Sequence, residues 1–248
     1  MKGIILAGGN GTRLYPLTKA VNKHLLPVHG RSMLHHCVDK MTEASIHDIL
    51  VITGGEHLGG IAEFLGSGKE FNCNLTYRVQ EKAGGIAEAL DLAKGFINPH
   101  ELMCVLLGDN IFEDSLKPYV KNYIAHVQEK KDPSAMVLLK EIEDPSRFGV
   151  AALCDNKIVQ IVEKPQEFIS HHAVTGIYFY PYQVFDIIST LKPSARGELE
   201  ITDVNNYYVK QGTLYHDFLN GWWTDAGTHE SFAKANDLMR MGTPSCAG

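Results

Sequence analysis

Cysteine is scarce in this chain and badly placed for covalent or metal work. Its five cysteines, Cys37, Cys73, Cys104, Cys154 and Cys246, are odd in number and widely spaced. No CxxC occurs, and no Cys/His pair has zinc spacing, which excludes a disulfide framework and a zinc module and leaves reduced thiols. No apolar run approaches the roughly 20 residues that span a bilayer, so no membrane partner is expected. The amino terminus opens directly on strand-like sequence without a signal-peptide pattern, so a cytoplasmic setting is expected. Net charge is −6 and no Lys/Arg cluster offsets it, so a nucleic-acid partner is not expected. Repeats and low-complexity tracts are missing too.

What is present fits a globular chain that buries a substantial core, with 44% hydrophobic and 21% charged residues over 248 positions. The first half alternates apolar runs with helix-like segments. Strands are expected at Gly3–Leu6, Ile49–Thr53, Leu75–Val79 and Met103–Leu107. Helices are expected at Met33–Ala44, His57–Leu65, Ile86–Lys94 and Leu116–Gln128. That alternation implies right-handed βαβ units and a mostly parallel sheet covered on both faces. In the second half, Ala135–Lys140, Gly149–Leu153, Lys157–Val162 and Gly176–Tyr180 read as strands, with a hairpin turn over Cys154–Lys157. Further helices are expected at Tyr182–Leu191, Leu199–Gln211 and His229–Met241.

Function is announced at the first strand exit. Ile4-Ile5-Leu6-Ala7 runs into Gly8-Gly9-Asn10-Gly11-Thr12-Arg13, and Lys23 follows soon after. A buried strand ending in Gly-Gly-x-Gly can bring backbone N–H groups close to phosphate oxygens. The nearby guanidinium and ammonium add charge suited to a polyphosphate. Two familiar phosphate loops do not fit: Leu14 stands where a dinucleotide fingerprint needs its third glycine, and Gly11 is followed by Thr12-Arg13 where a P-loop needs Lys-Ser/Thr. Ligands in open α/β sheets sit beyond the carboxyl ends of the strands. The glycine loop and Gly108-Asp109-Asn110 both fall on that rim.

The run Leu6–Leu14 with Lys23-His24-Leu25-Leu26-Pro27 resembles the signature of sugar-1-phosphate nucleotidyltransferases. The likeness continues through Gln80, Gly108-Asp109-Asn110, Arg147-Phe148-Gly149-Val150, Glu163-Lys164-Pro165 and Ala173–Tyr178, then Arg196–Asp203 and Trp223–Thr228. In order and spacing it is similar to the glucose-1-phosphate thymidylyltransferase branch over almost the whole chain. The resemblance implies a three-layer α/β fold with a mixed, mostly parallel Rossmann-like central sheet flanked by helices. It implies one nucleotidyltransferase domain over 1–248, with a nucleotide-binding half over about 1–130, a sugar-phosphate half over about 131–242 and a frayed tail at 243–248. The two halves should share one sheet with no linker.

The implied reaction transfers a thymidylyl group from dTTP to α-D-glucose 1-phosphate, releasing pyrophosphate, with Mg2+ as cofactor. The resemblance assigns Arg13, Lys23 and Lys164 to catalysis. It assigns Leu6, Gly8, Gly9, Gly11, Thr12, Arg13, Gln80, Gly85 and Asp109 to the nucleotide. Asn110, Gly149, Glu163, Lys164, Val174 and Arg196 fall to the sugar phosphate, and Asp109 and Asp225 to the metal. The residue chemistry is apt. Arginine forks hold two phosphate oxygens, a pair of carboxylates suits magnesium, and a glutamine amide matches the O4/N3–H edge of thymine or uracil. Glu163 and Lys164 would point to opposite faces of an extended strand, so Pro165 or a local twist must reorient one. Phe148 departs from a tyrosine that relatives often carry, at the expense of one hydroxyl.

Two other readings share these residues. One keeps the chemistry with UTP or another hexose 1-phosphate; the other is a regulatory subunit that binds nucleotide sugar without turnover. Retention of Arg13, Lys23, Asp109, Lys164 and Asp225 argues for the enzyme. Longer family members continue a few dozen residues beyond the equivalent of Gly248. A homo-oligomer, tetramer or dimer, is implied by the resemblance alone.

Overall fold

Strand β1 (Lys2–Ala7) lies at the centre of the molecule, and its alternation explains the layering. Successive side chains of a strand face opposite ways. Ile4 and Leu6 therefore enter one apolar core, and Ile5 and Ala7 enter the other. A computed structural model of the chain describes residues 1–242; the expected tail over 243–248 lies outside them.

After β1 come the two-residue strands β2 (Pro27–Val28) and β3 (Arg31–Ser32), helix α1 (Met33–Glu43), β4 (Asp48–Gly54), α2 (Leu58–Leu65) and β5 (Asn74–Gln80). Helix α3 (Ile86–Asp91), β6 (Leu102–Leu107), β7 (Asn110–Phe112) and α4 (Lys117–Lys130) complete the first half. The second half holds β8 (Ala135–Glu141), β9 (Gly149–Cys154), β10 (Lys157–Glu163), β11 (His172–Pro181), α5 (Val184–Ile188), α6 (Ile201–Gln211), β12 (Leu214–Phe218), β13 (Trp223–Asp225) and α7 (His229–Gly242).

The main sheet has nine strands, in the order β10-β9-β11-β6-β1-β4-β5, with β8 and β12 branching from β11. Strands β5, β4, β1 and β6 are mutually parallel. Antiparallel pairing of β6 with β11 then carries the sheet into the second half without a linker. Helices cover both faces, giving the three-layer α/β arrangement with its mixed central sheet. None of the helices among the described residues is long and apolar enough to cross a membrane.

Where elements differ from expectation, the cause is local. Strand β11 begins at His172, four residues before the expected Gly176, because that glycine sits within the strand at a register shift against β8. A mid-strand glycine marks a bulge as readily as an end. Helix α3 stops at Asp91 and the chain turns through Gly95, which has φ 84°. Strand β12 carries Tyr215, His216 and Asp217, so its apolar alternation is hidden. Strands β7 and β13 pair over three residues, too few for a period to show.

Candidate active site

Two open clefts of about 970 and 920 Å3 run along the carboxyl ends of the parallel strands. They share Arg13, Ile86, Leu107, Asp109, Lys164, Arg196 and Glu198, so a ligand can lie across both. The first cleft holds Asn110, Gly149, Glu163, Val174 and Asp225. The second holds Leu6, Gly8, Gly9, Lys23, Gln80 and Gly85. Of the residues expected in the site, Gly11 and Thr12 line neither cleft. Gly11 instead shapes the loop, adopting a left-handed φ of 65° just before the short 3-10 turn that presents Arg13.

Charge is concentrated where the clefts meet. Lys23 Nζ donates to Asp109 Oδ2 at 2.5 Å, and both residues are buried. Burial alone would raise the Asp109 pKa, but the Lys23 charge and hydrogen bonds from Lys23 and Asn110 hold it well below the usual carboxylate range. Asp225 behaves oppositely: burial and the nearby Asp109 charge push it up to about 6. Two carboxylates thus compete for ionisation in one pocket.

The geometry agrees. At Gly227 a Cβ would sit 2.6 Å from Asp225 Oδ1, 3.5 Å from Asp109 Oδ2 and 3.1 Å from Arg13 Nη2. The open point between these groups therefore has two carboxylate oxygens and the guanidinium beside it. Two carboxylates with substrate phosphates form a donor set suited to Mg2+, whereas no cluster of three or more His, Cys, Asp or Glu is found among the described residues. Asp109 and Asp225 fit the ion.

In the second cleft the structure corrects one expectation. Gln80 is buried, and its Nε2 donates to Glu88 Oε2 at 2.8 Å and to the Gly85 carbonyl at 3.3 Å. The amide therefore offers its acceptor to the cleft and not its donor.

In the first cleft, Glu163 Oε2 accepts from Thr202 Oγ1 at 2.6 Å, which fixes the carboxylate at the end of β10. Lys164 solves the opposite-face problem through its own backbone: its φ of 44° turns the chain, and its Nζ lies 3.4 Å from Glu163 Oε1. Asn110 Oδ1 is occupied internally, accepting from Gly176 N at 2.9 Å and Trp223 Nε1 at 2.7 Å. It braces β7 against β11 and β13. Arg196 Nη2 lies 2.8 Å from Glu200, 3.5 Å from Glu198 and 3.7 Å from Glu163, and its pKa is raised, first by the Glu200 hydrogen bond. Phe148 meets Trp223 edge-on, with ring centroids 5.0 Å apart.

The nucleotidyl transferase family model matches residues 2–241. The chain belongs to that family. It is 43% identical over 244 residues to the glucose-1-phosphate thymidylyltransferase of Neisseria meningitidis serogroup A, covering 97% of this chain and 83% of the relative. It is 39% identical over 258 residues to the enzyme of that name from Xanthomonas campestris, covering 99% and 84%. A solved Bacillus anthracis structure assigned to glucose-1-phosphate thymidylyltransferase, in complex with a sucrose, superposes with a TM-score of 0.91 at 54% identity, covering 99% of this chain and 97% of that one. A UDP-glucose pyrophosphorylase complexed with UDP-glucose shares the fold, with a TM-score of 0.83 at 23% identity.

Several residues of this nucleotidyl transferase site escaped the sequence reading. Glu88, Thr202 and Glu198 hold or face Gln80, Glu163 and Arg196, and only the side-chain contacts of the folded chain reveal those roles. His24 had a signal, since it follows Lys23 directly. Burial and the Lys23 charge push its pKa down to about 3, and its Nδ1 lies 2.8 Å from Asn22 Oδ1. It is a neutral, donor-oriented ring packed against Gly108.

Proposed function

We propose that this chain transfers a thymidylyl group from dTTP to α-D-glucose 1-phosphate, giving dTDP-glucose and pyrophosphate. The observation that carries the reading is the junction of the two clefts at Arg13, Asp109, Lys164 and Arg196. A triphosphate lying from Gln80 toward Lys23 brings its α-phosphorus to that junction. A sugar phosphate held at Glu163 and Lys164 reaches it from the other side.

Attack is in line: a phosphate oxygen of the sugar bonds to the α-phosphorus while the bond to the bridging oxygen of pyrophosphate breaks. Positioning and charge neutralisation carry most of such a step. Arg13 and Lys23 neutralise the triphosphate and its leaving group; Lys164 and Arg196 neutralise the attacking phosphate. Glu163, with backbone groups of Gly149 and Val174, accepts and orients sugar hydroxyls. Gln80 and Gly85 take the base edge. Asp109 and Asp225 would hold Mg2+, which when bound supplies charge stabilisation to the transferring phosphoryl group. The reading also carries a cytoplasmic homo-oligomer, dimer or tetramer, on the strength of the family.

Pyrophosphate release with magnesium and glucose 1-phosphate, compared across dTTP, UTP, ATP, CTP and GTP, tests the assignment. Preference for dTTP is expected. Equal or better turnover of UTP moves it to a uridylyltransferase, and no release from folded protein sinks it.

A further inference from the structure

Glu88 lies outside every motif that marked the site, yet it decides which face Gln80 shows to the nucleotide. A glutamine amide alone is two-faced: rotating it by half a turn exchanges donor for acceptor. Here the exchange is blocked. Gln80 Nε2 faces two acceptors, Glu88 Oε2 at 2.8 Å and the Gly85 carbonyl at 3.3 Å. Turned round, Oε1 would meet a carboxylate and a carbonyl, both electron-rich, and the two amide protons would be left without those partners. The amide oxygen therefore points the other way, over Gly8, where a Cβ would lie 2.5 Å from it.

The backbone makes room for this arrangement twice. Gly8 leaves space for the amide oxygen at the end of β1. At Gly84, a Cβ would overlap the Glu88 carboxylate, so a side chain there would push it off Gln80. The turn itself is fastened from the second half of the chain: Leu199 N donates to the Gly84 carbonyl at 2.7 Å, and Ala87 N donates to Leu199 O at 3.1 Å. Glu88 is thus seated on the first turns of α3 with its position set by packing and by hydrogen bonds.

We propose that Glu88 is a positioning and specificity-determining residue, which locks Gln80 as an acceptor and so selects a base carrying an N–H at ring position 3. Thymine and uracil present that donor between two carbonyl oxygens; cytosine presents a bare ring nitrogen there, lone pair against lone pair. The device does not read the thymine methyl, and it predicts equal treatment of thymine and uracil at this contact. It rests on the reading of the second cleft as the nucleotide subsite, and concerns a residue that touches no substrate.

The test is binding of dTTP and dCTP by calorimetry in magnesium without sugar phosphate, so that it stands apart from turnover. Wild type is expected to prefer dTTP. Glu88→Ala removes the lock and should cut the dTTP-to-dCTP preference about tenfold, the size of one charge-assisted hydrogen bond. Glu88→Gln keeps a side-chain acceptor within reach of the amide and should retain most of the preference. Gln80→Leu should lose it, and adding Glu88→Ala to Gln80→Leu should change it no further, because residues acting through one contact do not add. Glu88 is only half-buried and alanine favours helix, so these proteins are expected to fold, which a thermal melt checks. An unchanged preference in Glu88→Ala, additive losses in the double variant, or no preference in wild type would each overturn the inference. Absence of pyrophosphate release alongside an intact preference would overturn the proposed reaction and leave this one standing.

Discussion

Lys23 and Asp109 form a buried ion pair, 2.5 Å from Nζ to Oδ2, at the point where the two clefts join. Each side chain is about nine-tenths removed from solvent, at 11% and 12% exposure. The pair is not a free gain in stability, because both charges have lost water; its significance is that neither can be removed alone. Lys23→Met would leave a buried carboxylate with the nearby Asp225 as its carboxylate neighbour. Chemical denaturation should show a loss of roughly 3 kcal/mol, the scale for breaking one side of a buried pair. Turnover should fall at least a hundredfold. A stability within error of wild type would mean the lysine is not the counter-charge that keeps Asp109 ionised.

His24 gives the fold a pH dependence with a definite sign. Its folded pKa is pushed down to about 3 from 6.5, chiefly by burial and then by Lys23. Between those values the unfolded chain binds a proton that the native ring refuses, so stability rises with pH there. The contribution is complete above about pH 6.5 and is lost as pH falls toward 3, at up to about 1.4 kcal/mol per pH unit. His24→Asn can still donate to Asn22 and has no such proton to gain. Urea midpoints for the two proteins should converge as pH drops from 7 to 4.5; parallel curves would refute the assignment.

Arg196 stands in a ring of acids and is itself exposed. Its guanidinium reaches Glu200, Glu198 and Glu163, with its own side chain 44% accessible. Solvent-screened pairs of this kind contribute about 0–1 kcal/mol. Arg196→Ala should therefore leave the melting temperature almost unmoved and raise the KM for glucose 1-phosphate about tenfold or more. A large fall in melting temperature with an unchanged KM would make Arg196 a structural strap instead.

The fold and most of the site were legible because their signals are local. An apolar β run closed by Gly8-Gly9-Asn10-Gly11 announces its own strand and loop, and β4, β5 and β6 each fill an expected segment. What stayed hidden depends on side-chain contacts that no local pattern links. Nothing near Gln80 says that Glu88 will take its donor, and nothing near Glu163 says that Thr202 will hold it. Asn110 reads as a sugar ligand from its motif, yet Trp223 and Gly176, both more than 60 residues away, use up its oxygen. Short partners such as β7 and β13 exist only through each other.

Lys164 combines a strained backbone with an exposed charge, so stability and activity there should move in opposite directions. Its φ of 44° is left-handed, which L residues other than asparagine and aspartate rarely adopt, and its side chain is 49% accessible. The backbone is held in that turn by Lys164 N donating to the Phe148 carbonyl at 2.9 Å. Lys164→Gly keeps the turn without the steric penalty and loses little packing. A gain of about 0.5–1 kcal/mol, or a rise of a few degrees in melting temperature, is expected. The same variant removes the ammonium beside Glu163 and should lower kcat at least a hundredfold. Lys164→Met keeps the strain and removes only the charge, so it should lose activity to the same extent with no gain in stability. If Lys164→Gly and Lys164→Met melt together, the left-handed turn stores no strain; if Lys164→Gly retains turnover, the ammonium is not part of the reaction.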